Sequence, residues 1–251
     1  MTLTLNKSFG RPIGPTSDPD FDDVFYLFQA PNSGSTLTDY SDSGFTITAQ
    51  DSCVPSSTFT LFQDQSLFLS SAHTGTQATA NIRDGSSMPT TWVFAGDFTI
   101  EAWVYLPDST KGSSSFIELI YSGGACGFGW VFAAEGDSNG SSQIYDNVQI
   151  CGGTFYKSYA DTIVYDAWNY MAWVRSGTGT NNHKLYSGVS TDSSTTLRGE
   201  WTNTNSQGSS SPSDLMMGGG GTQGFYVDSV RVTKGVARNV LSIPTTAWPT
   251  N

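Results

Sequence analysis

The stretch Phe94-Ala95-Gly96-Asp97-Phe98-Thr99-Ile100-Glu101-Ala102-Trp103-Val104-Tyr105-Leu106 reads as a central strand of an antiparallel sandwich. Phe98, Ile100, Ala102, Val104 and Leu106 fall on one face, and Thr99, Glu101, Trp103 and Tyr105 on the other, the two-residue period of a strand. A slip of one residue would exchange the faces, so the register is strongly specified. Ala95-Gly96-Asp97 opens the segment with turn chemistry. Pro107-Asp108 closes it, because proline has no N–H to give to a ladder.

Short runs of the same kind lie on both sides. Upstream, strands are expected at residues 24–28, 45–49, 59–62 and 66–69. Downstream they are expected at 115–121, 128–134, 148–151, 154–156 and 162–165. In Trp168-Asn169-Tyr170-Met171-Ala172-Trp173-Val174-Arg175 both alternating faces are partly apolar, which predicts a mid-sheet strand with the core on one side and a covering loop on the other. Residues 184–188 and 225–232 complete the series. Residues 72–88 and 190–212 are polar and read as exposed loops, the second interrupted around Glu200-Trp201. No helical period of ten residues occurs, so the pattern predicts an all-β, two-sheet antiparallel jelly-roll sandwich. Gly10, Pro12, Gly14, Pro15 and Pro19 set residues 1–19 apart as an extended N-terminal arm, with the domain spanning 20–251.

Composition narrows the function. Only 13% of the 251 residues are charged, against roughly 25% in an ordinary soluble domain, while aromatics also reach 13%. Eleven basic and twenty-two acidic residues leave a net charge of −11, which opposes phosphate backbones and anionic lipid surfaces. Neither nucleic acid nor membrane is expected as a partner. No apolar run approaches the roughly 18 residues of a membrane span, and residues 1–14 lack the basic start and apolar segment of a signal peptide, so synthesis in the cytoplasm is expected. Cys53, Cys126 and Cys151 show no metal-binding spacing. A hairpin over residues 135–142 would bring Cys126 and Cys151 to adjacent strands, as a disulfide or as two buried thiols.

Four stretches, residues 21–28 with the Asp-Ser-Gly turn that follows, 96–106, 168–175 ahead of Lys184-Leu185-Tyr186, and 226–238, resemble the laminin-G-like jelly rolls of the concanavalin A-like lectin and glucanase superfamily. Val227-Asp228-Ser229-Val230-Arg231-Val232-Thr233-Lys234-Gly235-Val236-Ala237-Arg238 is similar to a version common in virion proteins of tailed bacteriophages. The resemblance implies two curved, stacked antiparallel sheets. It does not imply catalysis, since one fold hosts many functions.

Retaining glucanases of this fold carry Glu-x-Asp-x-x-Glu, whose two carboxylates must lie about 5–5.5 Å apart. The glutamates here, Glu101, Glu118, Glu135 and Glu200, have no acidic residue at i+2 or i+4. His73 and His183 lie in polar, turn-like stretches and read as solvated loop side chains, and no Gly-x-Ser-x-Gly elbow occurs. A catalytic site is therefore not expected. Laminin-G-like relatives often hold calcium at a sheet rim, which singles out Asp228, Asp39 and Asp42, with Asp137 and Asn139, as ligand types. Such aspartates are also ordinary turn formers, and Asp228 serves equally as an acceptor that closes the last strand. Glycan binding calls for exposed aromatic faces, and Trp92, Trp130, Trp201, Tyr145 and Tyr156 lie in or near loops.

The expected role is a non-enzymatic virion surface protein, a capsid decoration or tail-associated subunit present in several copies. It would attach to other virion proteins through the arm or its sheet edges and contact a cell-surface glycan. A free carbohydrate-binding lectin or adhesin is the alternative, with a glycoside hydrolase behind it.

Overall fold

The computed structural model describes residues 18–49, 53–69, 80–83, 94–110, 116–122, 131–135, 142–145, 156–204, 215–217 and 224–250. They contain strands β1 to β15, numbered in chain order, and every pairing between them is antiparallel. One sheet runs β13 (Thr196–Trp201), β12 (His183–Val189), β11 (Trp168–Arg175), β6 (Phe98–Tyr105), β15 (Phe225–Lys234), β4 (Ser66–Leu69), β3 (Cys53–Ser56), with β1 (Val24–Gln29) also paired to β15. The second runs β10 (Tyr156–Tyr159), β9 (Ser142–Tyr145), β8 (Val131–Glu135), β7 (Phe116–Ser122), β14 (Leu215–Met217), β5 (Ala80–Arg83), β2 (Thr46–Ala49). The chain is a two-sheet, all-β sandwich.

The alternation of β6 holds residue by residue. Phe98, Ile100, Ala102 and Val104 join Tyr26, Phe28, Trp173, Val230 and Val232 in the core between the sheets, where Ile47 of β2 also packs. Trp103 and Tyr105 point to the opposite face and join Tyr170, Ala172 and Val174 of β11 in a second cluster. Three segments cover that outer face: Phe21 in the 3-10 turn Phe21–Asp23, the loop bearing Phe59, Leu61 and Phe62, and the C-terminal tail with Val240, Ile243 and Trp248. Hence every residue of β6 and β11 is buried. A sheet covered on both faces can carry a near-continuous apolar run. Phe59 stacks on Tyr105 with centroids 4.1 Å apart, and Trp168 Nε1 donates to Thr60 O at 3.1 Å, so β11 has the covering loop its two apolar faces predict.

Several elements differ from the sequence expectation. Residues 59–62 form no ladder, because their apolar side chains turn down onto the outer face. Residues 162–165 form no strand and join two turns, with Val164 N donating to Asn169 Oδ1 at 2.8 Å. Within the polar stretch 72–88, residues 80–83 pair with β2 and β14. The interruption at Glu200-Trp201 belongs to the edge strand β13. β3 contains Pro55, which the edge position tolerates. The hairpin of β8 and β9 matches the expected turn over 135–142, while Cys126, Cys151 and residues 148–151 lie outside the described residues. Cys53 is a buried free thiol, its pKa pushed up to about 12 by burial.

Candidate functional site

The two-residue period puts Glu101 on the outer face in the middle of β6, where Arg231 of β15 and Ala172 of β11 stand beside it in the ladders. Glu101 is 2% exposed, and a carboxylate so far from water needs partners. Tyr170 Oη donates to Glu101 Oε1 at 2.5 Å, and Arg238 Nη1 donates to Oε2. Arg238 Nε donates to Asp20 Oδ2 at 3.2 Å, and its Nη2 lies 3.9 Å from Asp18 Oδ2. Arg231 Nη1 donates to Asp18, and its Nε donates to Thr233 Oγ1 at 3.1 Å. Thr99 Oγ1 donates to Val236 O at 3.0 Å and accepts from Arg238 N at 2.9 Å, which fixes the start of the tail.

The network sets the protonation of its members. Burial pushes the Asp18 carboxyl up, but Arg231 and the Asp20 amide outweigh it and hold the group below the usual carboxylate range. Burial, reinforced by the Glu101 carboxylate, raises the Tyr170 phenol well above its ordinary value. Burial also works against the Arg238 cation, and Glu101 and Asp18 more than offset it. Asp18 is thereby held as the carboxylate, Tyr170 as the phenol and Arg238 as the cation, so these three groups tie the covered face, β11 and the tail together.

Beside it lies a cleft of about 350 Å³ between the outer face and the tail. Its floor is Glu101, Tyr170 and Arg238, and Asp18 and Pro19 form one side. Residues 242–249 of the tail, including Ser242, Thr245, Thr246 and Trp248, form the other. Gln29 Nε2 donates to Trp248 O at 2.6 Å and pins the end of that wall to β1. Asp18 is 8% exposed and belongs to the packed body, although residues 1–19 read as an arm; its carboxylate is what Arg231 requires on the covered face.

Of the aspartates singled out in the sequence, Asp39, Asp42 and Asp228 lie among the described residues, while Asp137, with Asn139, lies outside them. Both Asp39 oxygens are spent on a turn, accepting from the amides of Leu27, Ser41 and Phe45 at 3.0, 3.0 and 2.9 Å and from Ser41 Oγ at 2.9 Å. Asp228 sits at a bulge where β15 shifts register against β6, and its Oδ1 accepts from Phe62 N at 3.0 Å, anchoring the covering loop. Asp42 is exposed. Among the described residues no three His, Cys, Asp or Glu side chains converge on a point an ion could occupy.

Trp201 is 4% exposed, its indole stacked on His183 with centroids 5.2 Å apart and close to Trp173 and Tyr159, so protein already covers its faces. Tyr145 and Tyr156 are opposite each other on β9 and β10, in the second sheet. Trp92 and Trp130 lie outside the described residues, as does His73. His183, which its turn-like surroundings mark as solvated, is fully buried because β12 begins at it and feeds it between two tryptophans. Trp173 Nε1 donates to its Nδ1 at 3.1 Å, so the ring proton is on Nε2 and is given to Asn203 O at 3.1 Å. The cleft residues Tyr170, Arg238, Asp18 and Trp248 carry no motif. The one sequence signal was Glu101, a lone carboxylate in mid-strand.

No protein-family model matches the chain, and no curated protein matches it. Solved structures do. The binding domain of Paraclostridial Mosquitocidal Protein 1 is similar over 87% of this chain and 50% of its own length, with 12% identity and a TM-score of 0.58. The botulinum neurotoxin serotype D binding domain is similar over 91% of this chain and 51% of its own, with 10% identity and a TM-score of 0.56. A structure of botulinum neurotoxin type C, whose cell entry depends on interaction with two ganglioside molecules, matches over 90% and 50% with 11% identity and a TM-score of 0.54. This chain spans about half the length of each, and at such identities what the four proteins share is the β-sandwich fold.

Proposed function

We propose that the chain is a non-enzymatic recognition module that binds glycan at a cell surface, with the cleft under the C-terminal tail as its site. The observation that supports this best is the sandwich shared with two binding domains and with botulinum neurotoxin type C, whose cell entry depends on interaction with two ganglioside molecules. The commitment of Glu101 to Tyr170 and Arg238 favours binding over hydrolysis, because a glycosidase needs a carboxyl group free to reach the glycosidic oxygen. For its setting we propose the surface of a bacteriophage particle, as a capsid decoration or tail-associated subunit assembled in the host cytoplasm. The likeness of residues 227–238 to virion proteins supports that setting, and many copies on one particle would turn a weak glycan contact into useful avidity.

A glycan array probed with the purified chain, with and without millimolar calcium, tests the binding half. Co-sedimentation with purified particles tests the setting. Glycan binding without particle association would leave a free lectin. Absence of any glycan binding would refute the module as read, and release of reducing ends from a polysaccharide would replace it with a hydrolase.

A further inference from the structure

We propose that the cleft takes an uncharged sugar unit and discriminates against acidic ones, an inference that rests on the glycan-binding reading above. Among the described residues, the charged groups of the cluster at the cleft are three carboxylates, Asp18, Asp20 and Glu101, against two guanidinium groups, Arg231 and Arg238, one negative charge in excess. Arg238 is the cation that lines the cleft, and it is already engaged with all three carboxylates. Arg231 lies behind it, with its side chain 1% exposed. A carboxylate or sulfate entering the cleft would have to pull Arg238 off Glu101, leaving that buried carboxylate short of a partner, and would do so in the field of a chain carrying a net charge of −11.

An uncharged ligand meets none of this. The walls offer it the hydroxyls of Ser242, Thr245 and Thr246 and the amide of Asn239, which can both give and accept hydrogen bonds to sugar hydroxyls, with proline and tryptophan surface between them. At about 350 Å³ the cleft is near the small end of ligand pockets, which range over roughly 300–1,000 Å³. Its size fits a short glycan unit.

The test is calorimetric titration of the full chain with matched pairs of glycans, the same core with and without sialic or uronic acid or sulfate, chosen from array hits. The neutral form is expected to bind and the acidic form to bind about tenfold or more weaker. Asp20→Asn, which releases Arg238 Nε and removes the excess charge, is expected to narrow that gap. Ser242→Trp fills the cleft from an exposed tail position and should abolish binding with the circular dichroism unchanged; Thr245→Trp serves if that variant misfolds. Equal or tighter binding of the acidic forms, an unchanged gap in Asp20→Asn, or full binding by a folded cleft-filled variant would each overturn the inference while leaving glycan binding standing. Failure to bind any glycan, neutral or acidic, would remove the reading beneath it.

Discussion

Glu101 has both carboxylate oxygens occupied, one by Tyr170 and the other by Arg238, at a position with almost no water. Glu101→Ala should therefore cost about 3–5 kcal/mol, because it leaves the buried Tyr170 hydroxyl without its acceptor and takes from the Arg238 cation its most buried carboxylate. Tyr170→Phe should cost about 1.5–3 kcal/mol, the range for a hydrogen bond to a charged group. Urea unfolding midpoints measure both. Asp228 gives a test in pH. Burial raises its pKa from 3.8 to about 6, opposed by the amide of Phe62. The folded state thus keeps a proton that the unfolded state has lost, so stability from this group is full below about pH 4 and is lost as the pH rises through 6. Asp228→Asn should leave Tm unchanged near pH 4 and raise it at pH 8, by up to roughly 2–3 kcal/mol of stability, provided the amide oxygen still accepts from Phe62. The sequence made Glu101 legible as an outward carboxylate. Its partners were not, since Tyr170 is 69 residues away and Arg238 is 137, and no local pattern encodes such distances.

Among the elements, β6 and β11 were readable because a strict two-residue period survives in both. β15 was readable only in extent. The register shift beside Asp228 lets Val227 and Val230, three residues apart, both face the core, and a simple period assigns one of them wrongly. β13 was hidden by its polar composition, since an edge strand needs few apolar residues. The tail had no legible period, because it adheres to the sheet through a few anchors. One of these is Ile243 over Gly188 of β12, where an added Cβ would come within 2.8 Å of Ile243 Cδ1. Gly188→Val should lift the tail, costing about 1–3 kcal/mol. Adding Ile243→Ala should recover part of that loss, a coupling that a double-mutant cycle by thermal denaturation would measure.

For the molecule as a whole, composition and strand spacing were enough to read an all-β sandwich, while strand order was not, because it depends on pairings across the full chain. β1 pairs with β15, setting Val24 beside Thr233, so the first described strand finds its place only when the last is present. Refolding dominated by such non-local pairing is expected in the millisecond-to-second range or slower, with intermediates, and stopped-flow tryptophan fluorescence would show a single fast phase if this is wrong. The tail also has a mechanical consequence. It leaves the sheet beside Arg238, doubles back across it, and is tied in turn at Thr195, Ser193 and Gln29. Tension applied at its far end would be met one tie at a time, Gln29 first and the Arg238 ion pairs last, before any strand ladder is loaded. Peeling the tail would uncover the Trp103 and Tyr170 face that Val240, Ile243 and Trp248 now cover, so a pulled molecule is expected to expose that face before its ladders part.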